Sequence, residues 1–327
     1  MNFSHIYIEE DILDHPRTKE ILSLFPKSIK ISIHNYKNIF NPSNQNFQAQ
    51  KLKPKLILAK KKDHFFYKGS PLTDTFNRGP FYYNSLIMNC IYNCEYCYLQ
   101  GMYNSSHIVI FINLEDFFNA TSELLRIENK VTLCISYDTD LLAMERIIPY
   151  TSKWIEFAES NRNLSLEIRT KSSFFNRISH LKPIENVVLA WTLSPESIVK
   201  KFEFNTATLQ RRLQALSSAI QSGWKTRICL DPILHVKNWK DIYKSLISQI
   251  FSYPSISEIN EITFGVFRIN SDYLKKMKKM RNDSEIIYYP YKKFGSIETY
   301  KKEIEIKIKN FIYHELCLYI SKEKIYY

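Results

Sequence analysis

Val187-Val188-Leu189-Ala190-Trp191-Thr192-Leu193 contains no charged side chain and a single hydroxyl. A strand with one face in water alternates apolar and polar residues; this run is apolar at successive positions, as in a strand covered on both faces. Sheets covered on both faces are built mainly from parallel strands joined by helices. Comparable β-branched stretches recur at Ile108–Ile112, Val131–Ser136, Leu164–Arg169, Thr226–Leu230 and Ile262–Phe267. Helical patterns follow most of them, at Leu114–Ile127, Leu141–Ser160, Pro195–Ser222 and Trp239–Phe251. The alternation predicts an α/β fold, a full or partial parallel (β/α) barrel with its active site on the loops at the strand C-terminal ends. An open doubly wound sheet has the same periodicity.

Outward from that core, residues 79–270, the chain divides into two flanking parts. Residues 1–78 read as a small N-terminal α/β domain, with strands at Ser4–Ile8, Ile29–His34 and Leu56–Lys60 and a helix around Lys19–Phe25. Residues 271–327 read as a basic, aromatic C-terminal hairpin and helix extension, an appendage carrying the stretch Ile286–Gly295 and a last helix from Tyr300 to Tyr319. At 327 residues and 45% hydrophobic the chain can bury a large core. No apolar run approaches the ~20 residues of a membrane-spanning helix. Glu9 and Glu10 stand where a secretory leader would be apolar, so a cytoplasmic protein is expected, with no membrane partner.

The net charge is +12 and gathers at the ends: residues 1–75 hold 12 basic and 7 acidic side chains, residues 271–327 hold 13 and 8. A surplus of this sign favours polyanions such as nucleic acid through phosphate contacts. The Lys60-Lys61-Lys62 run and the Lys275-Lys276-x-Lys278-Lys279 helix, taken singly, read as solvated faces.

Six cysteines are too few for a disulfide scaffold, and three of them crowd into Cys90-Ile-Tyr-Asn-Cys94-Glu-Tyr-Cys97. Thiolates are soft ligands that suit zinc or iron–sulfur centres. A structural zinc needs a fourth ligand, and neither His64 nor His107 stands at zinc-finger spacing. A 4Fe–4S cluster held by three cysteines leaves one iron open for a substrate or cofactor.

This CxxxCxxC loop, early in a β/α series, resembles that of the radical S-adenosylmethionine enzymes. The likeness extends to Cys94-Glu-Tyr96-Cys97-Tyr98-Leu99-Gln100, Thr139-Asp140, Arg169-Thr170-Lys171, Trp191-Thr192-Leu193-Ser194, Ile198 to Phe202-Glu203, Asp231-Pro232-Ile233 and Phe267-Arg268. In that order these segments resemble the spore photoproduct lyase family over almost the whole chain. The resemblance implies a 4Fe–4S cluster on Cys90, Cys94 and Cys97 and S-adenosylmethionine on its open iron. It places Thr139, Lys171, Thr192 and Asp231 around that cofactor, and Tyr96 and Tyr98 beside its adenosine and the hydrogen-transfer path. It further implies a radical lyase that repairs a thymine photoproduct in DNA, fed by a cytoplasmic electron donor such as a flavodoxin or ferredoxin. Lys293-Phe294 matches the family's basic–aromatic pair on a DNA-inserting hairpin.

One position departs from the family. The hydrogen-donating cysteine stands three residues before the aspartate matching Asp140, and this chain has Tyr137 there, with Cys134 three residues earlier. Tyr137 and Cys134 are therefore both candidate donors; Cys229 and Cys317 read as core residues. Two other readings remain open: a radical enzyme of the same family acting on RNA or a small molecule, and a non-enzymatic nucleic-acid-binding protein whose cysteines hold a structural metal.

Overall fold

The computed structural model describes residues 2–69 and 78–327, so the end of the 1–78 division, residues 70–77, lies outside the described residues. The chain forms two compact units, residues 1–91 with 102–167 and residues 92–101 with 168–327.

The first unit contains a five-stranded sheet in the order Ile29–Ile33, His5–Glu9, Leu56–Ala59, Ile108–Phe111, Ile87–Met88. Its first four strands are parallel and the last is antiparallel. Leu56–Ala59 and Ile108–Phe111 are buried at every position, which only central strands can be, whereas the edge strand Ile29–Ile33 is largely exposed. Ile108–Phe111 thus belongs to the N-terminal sheet and not to the barrel series in which its sequence places it. Its all-apolar pattern fits either location.

The first unit also holds a ladder in which Tyr67–Lys68 pairs antiparallel with Phe81–Tyr83, and Phe81–Tyr83 and Val131–Cys134 continue in parallel to Leu164–Thr170. Leu164–Thr170 begins in the first unit and ends in the second. In the second unit Val187–Thr192, Lys225–Ile233, Glu261–Val266 and Ile325–Tyr326 are parallel. The eight strands run in order from Tyr67–Lys68 to Ile325–Tyr326, a half-barrel and so the partial form of the two expected. Val187–Thr192 is buried at all six positions, as its opening pattern requires; burial contributes roughly 1.5–3 kcal/mol for each large apolar side chain.

Two helices predicted as continuous are interrupted. Leu141–Ser160 becomes Leu141–Met144 and Tyr150–Glu159, because Pro149 disfavours helical backbone at the residue before it and cannot sit inside a helix. Pro195–Ser222 becomes Glu196–Phe202 and Leu209–Gln221, the second capped by the Thr208 hydroxyl, which accepts from Arg211 N at 3.3 Å. Between them Glu203–Phe204 leaves the helix to form a short strand. The C-terminal segment is fastened within its unit by aromatic packing: Tyr300 lies 4.8 Å from Tyr289 and 5.3 Å from Tyr291, which in turn lies 5.2 Å from Phe267.

Candidate active site

In the second unit the short strand Glu203–Phe204 pairs antiparallel with Asn93–Cys94, setting Glu203 opposite Cys94. Glu95 N donates to Phe202 O at 2.7 Å, and Cys97 N to Cys94 O at 3.1 Å, closing the turn that carries both thiols. Gln100 then gathers that turn, its Nε2 donating to the carbonyls of Cys94, Glu95 and Cys97 at 2.9, 3.1 and 3.3 Å. Gln100 Oε1 accepts from Arg281 Nε at 2.6 Å, and Arg281 Nη2 donates to Asn93 Oδ1 at 2.8 Å. Arg281 directly follows the basic helix Ser271–Met280. The same helix closes over Gly101, where a Cβ would come within 2.4 Å of Tyr273 Cα and Cβ. The tail read as an appendage is therefore part of the wall of the cysteine loop.

Lys171 follows the last residue of Leu164–Thr170, and its Nζ donates to Tyr96 Oη, to Glu203 Oε1 at 3.1 Å and to Cys94 Sγ at 3.8 Å. Tyr96 Oη donates to the same carboxylate oxygen, and Ser194 Oγ donates to it at 2.9 Å. Arg212 Nη2 donates to Glu203 Oε2 at 2.5 Å, Nη1 to Thr192 O at 3.1 Å and Nε to Ala207 O at 2.9 Å. The Glu203 and Arg212 side chains are fully buried. Burial drives the Glu203 carboxyl upward, but Lys171 and Arg212 outweigh it and hold the group down at about 2. Burial works against the Lys171 ammonium too, yet Cys94 and Glu203 raise it above its ordinary value. Burial and the nearby Glu203 charge push the Tyr96 phenol well up, so it remains a donor.

Of the residues singled out from the sequence, Cys94, Tyr96 and Lys171 come together here, with Thr192 tied to them through Arg212. Cys97 shares the loop, and Tyr98 sits half-buried in it, its carbonyl accepting from Gly101 N at 2.9 Å. Asp231 lies farther along, on Lys225–Ile233 where the register shifts, with Arg268 Nη2 at 3.7 Å. Lys293 and Phe294 stand on the hairpin Lys292–Phe294 and Ile297–Thr299, where Lys293 faces Glu298, Phe294 faces Ile297 and Gly295 turns with φ +59°. Phe294 is 53% exposed, an apolar ring presented to solvent at a hairpin tip.

The remaining candidates belong to the first unit. Cys90 is half-buried there, its carbonyl accepting from Lys51 Nζ. Cys134 is buried in its strand opposite Tyr83. The chain then turns: Asn84 takes Ser136 N on its side-chain oxygen at 2.6 Å and Tyr137 N on its carbonyl at 2.9 Å. This turn presents Tyr137, 42% exposed, against Tyr83 at 5.0 Å. Next to it Asp138 is buried and accepts from Ser85 Oγ at 2.5 Å and Tyr103 Oη at 2.7 Å. Thr139 Oγ1 is buried and has no hydrogen-bond partner among the described residues. Asp140 caps the following helix turn by accepting from Ala143 N at 3.1 Å.

Gln100, Ser194 and Glu203 lie in the segments that carry the family resemblance but were given no role from the sequence, and Arg212 and Arg281 were not singled out at all. The signal for Glu203 was present: an acidic residue directly after the apolar series Ile198, Val199 and Phe202, followed by Asn205 and the capping residue Thr208. That combination marks a break in the helix at a charged group.

The fold and this site define a half-barrel α/β protein with a three-cysteine loop, the form of the radical S-adenosylmethionine class. The family model described as "Spore photoproduct lyase" matches residues 2–327, and the chain belongs to that family. It is similar to the spore photoproduct lyase of Clostridium acetobutylicum, with 22% identity over 99% of this chain and 98% of that one. The Bacillus subtilis spore photoproduct lyase is 21% identical over 98% and 97% of the two chains. Among solved structures, a spore photoproduct lyase complexed with dinucleoside spore photoproduct superposes with a TM-score of 0.84 at 16% identity, covering 99% of this chain and 97% of that chain. One with bound AdoMet and the same dinucleoside gives 0.83 at 16% identity, with 99% and 97% coverage.

Proposed function

We propose that the chain is a radical S-adenosylmethionine lyase that reverses a thymine photoproduct in DNA. Its membership of the spore photoproduct lyase family along 2–327 is the observation that carries this reading. The donor chemistry of the loop fits a 4Fe–4S cluster. Among the described residues no three His, Cys, Asp or Glu side chains are arranged as a metal site. The thiols are nevertheless the soft ligands such a cluster takes, and Lys171 beside Cys94 and Arg281 on the loop supply the positive surroundings that favour thiolates. Cys90, Cys94 and Cys97 would hold the iron. Bound together, the cluster and S-adenosylmethionine supply a hydrogen-abstracting adenosyl radical.

The protein's own groups bind and orient. Lys171 offers an ammonium to the cofactor carboxylate, held in place by Glu203, which Arg212 fixes in turn. Thr139, Thr192 and Asp231 are the proposed polar contacts to the same cofactor, and Tyr96 and Tyr98 flank it. The Lys293-Phe294 hairpin would meet phosphate with the ammonium and wedge the ring against a base, helping to extrude a lesion at a cost of a few kcal/mol. A one-electron donor of the flavodoxin or ferredoxin class would serve the cluster.

Anaerobic reconstitution tests this directly. The wild type should bind iron and sulfide, cleave S-adenosylmethionine reductively and release thymidines from a dinucleoside photoproduct, while Cys97→Ala should do none of these. A protein that holds only zinc overturns the reading.

A second reading, a family member acting on another substrate, rests on the resemblance, which sets Tyr137 at the family's donor-cysteine position and leaves Cys134 three residues earlier. Tyr137 is exposed and Cys134 is buried, so Tyr137→Phe should change the product distribution severalfold and Cys134→Ala should leave it unchanged. Adenosyl radical formation without thymidine recovery would favour this second reading.

A further inference from the structure

The Lys60-Lys61-Lys62 run is not used by the site described above, and its surroundings make it more than a solvated face. In the first unit the rings of Tyr137, Tyr83, Tyr67 and His64 form a continuous series. Tyr137 lies 5.0 Å from Tyr83, Tyr83 lies 5.4 Å from Tyr67 at an interplanar angle of 25°, and Tyr67 lies 6.3 Å from His64 at 14°. The series runs along the antiparallel pair Tyr67–Lys68 and Phe81–Tyr83, where Tyr67 faces Tyr83. Tyr67 is 37% exposed, Tyr137 is 42% exposed, and His64 is also exposed.

Lysines border these rings. Lys61 Nζ sits 5.8 Å from the Tyr67 ring centre and 5.1 Å from that of Phe111, and it donates to Tyr67 Oη at 3.5 Å. Lys60 and Lys62, on either side of Lys61 in the chain, are exposed, whereas Lys68 stands opposite Tyr82, on the other face of the strand pair from Tyr67. The exposed acidic groups on the same stretch are Asp63 and Asp11, the latter 3.6 Å from Lys62 Nζ; Asp138 and Glu9 also face it but are buried, Asp138 accepting from Ser85 and Tyr103 and Glu9 from the backbone of Tyr36 and Lys60.

Exposed rings beside ammonium groups match the chemistry of an unpaired nucleic-acid strand, whose bases stack on aromatic faces while its phosphates meet cations. An acidic peptide would use the lysines but not the rings. We infer that Tyr67, Tyr83 and His64, with Lys60, Lys61 and Lys62, form a binding track for unpaired DNA that leads away from Tyr137. The track rests on the lesion-repair reading for its biological occupant and not for its chemistry. It extends the substrate from a dinucleotide to a strand several nucleotides long.

The test uses the full chain and a fluorescein-labelled, undamaged oligothymidylate of about twelve nucleotides, within the range bound by single stacking modules. Anisotropy titrations should show Tyr67→Ala binding about tenfold more weakly, the equivalent of ~1.4 kcal/mol of lost stacking. Tyr67→Phe, which keeps the ring, should bind within about twofold of wild type. The pair Lys60→Gln and Lys62→Gln should lower the slope of log K against log salt by about one to two. Thermal unfolding of each variant checks that the fold is retained.

In turnover, Tyr67→Ala should leave the dinucleoside photoproduct reaction unchanged and raise KM only for the photoproduct set in a longer strand. Wild-type affinity and salt slope in folded Tyr67→Ala and in the lysine variant would overturn the track, as would equal losses in Tyr67→Phe and Tyr67→Ala. A chain that binds oligothymidylate as described but repairs no photoproduct leaves the track standing and removes the lesion reading.

Discussion

Glu203 in the interior of the second unit and Glu115 on the surface of the first are both held at about 2, by different means. For Glu203 the largest influence is burial, which opposes ionisation, and the Lys171 and Arg212 charges overcome it. For Glu115 the largest influence is the hydrogen bonding of Arg17, whose Nη1 lies 2.7 Å from Oε2, while the carboxylate side chain is 60% exposed. Similar titration therefore hides unequal energetics. A buried anion leaves two cations uncompensated when it is removed; an exposed one leaves its partner in water.

The sharpest way to break the contrast is Glu203→Ala, which should destabilise the chain by about 3–5 kcal/mol in urea unfolding, the cost of an unanswered buried charge. A loss below about 1 kcal/mol would place Glu203 in the same category as Glu115. Removing the cation sharpens the functional half of the comparison. Lys171→Met should weaken S-adenosylmethionine binding to the reconstituted protein at least tenfold in equilibrium dialysis, since a hydrogen bond to a charged group is worth ~1.5–3 kcal/mol. Unchanged affinity would show that Glu203 holds Lys171 for structure alone.

Acid separates the two carboxylates further. Each has a folded pKa below its ordinary 4.5, so each contributes stability that is complete above that value and is lost as pH falls towards about 2. Comparing wild type with Glu203→Gln across that window should show a loss that high salt leaves largely intact. The smallest effect belongs to Glu115→Gln, at most about 1 kcal/mol in the same window and erased by salt. A salt-resistant effect at Glu115 would end the distinction.

The sequence made the parallel core legible because doubly buried strands cannot disguise their composition. Val187–Thr192, Leu164–Thr170 and Glu261–Val266 fall within a residue or two of where the apolar runs place them. Sheet membership was less legible: Ile108–Phe111 reads like a barrel strand, and only its pairing with Leu56–Ala59 distinguishes it. Within the candidate site, the sequence singles out the cysteines by their spacing and the strand-end Lys171 by resemblance, and Lys171 does lie beside Cys94. Glu203, Arg212 and Arg281 act through partners distant in the chain, and nothing in their immediate neighbours names those partners. Arg281 reaches Gln100 across 181 positions.

The glycine at position 101 bears on how far this protein could be cut down or recombined. With Tyr273 packed where a methyl group would go, the cysteine-bearing segment has been moulded to one particular lid. Ending the chain at residue 270 would strip away both that lid and the guanidinium of Arg281, so a miniature enzyme made of barrel alone should be ruled out as a design. Conversely, a chimera would have to transplant residues 92–101 and 271–281 as a matched set, because the two segments share one surface despite lying far apart in the gene.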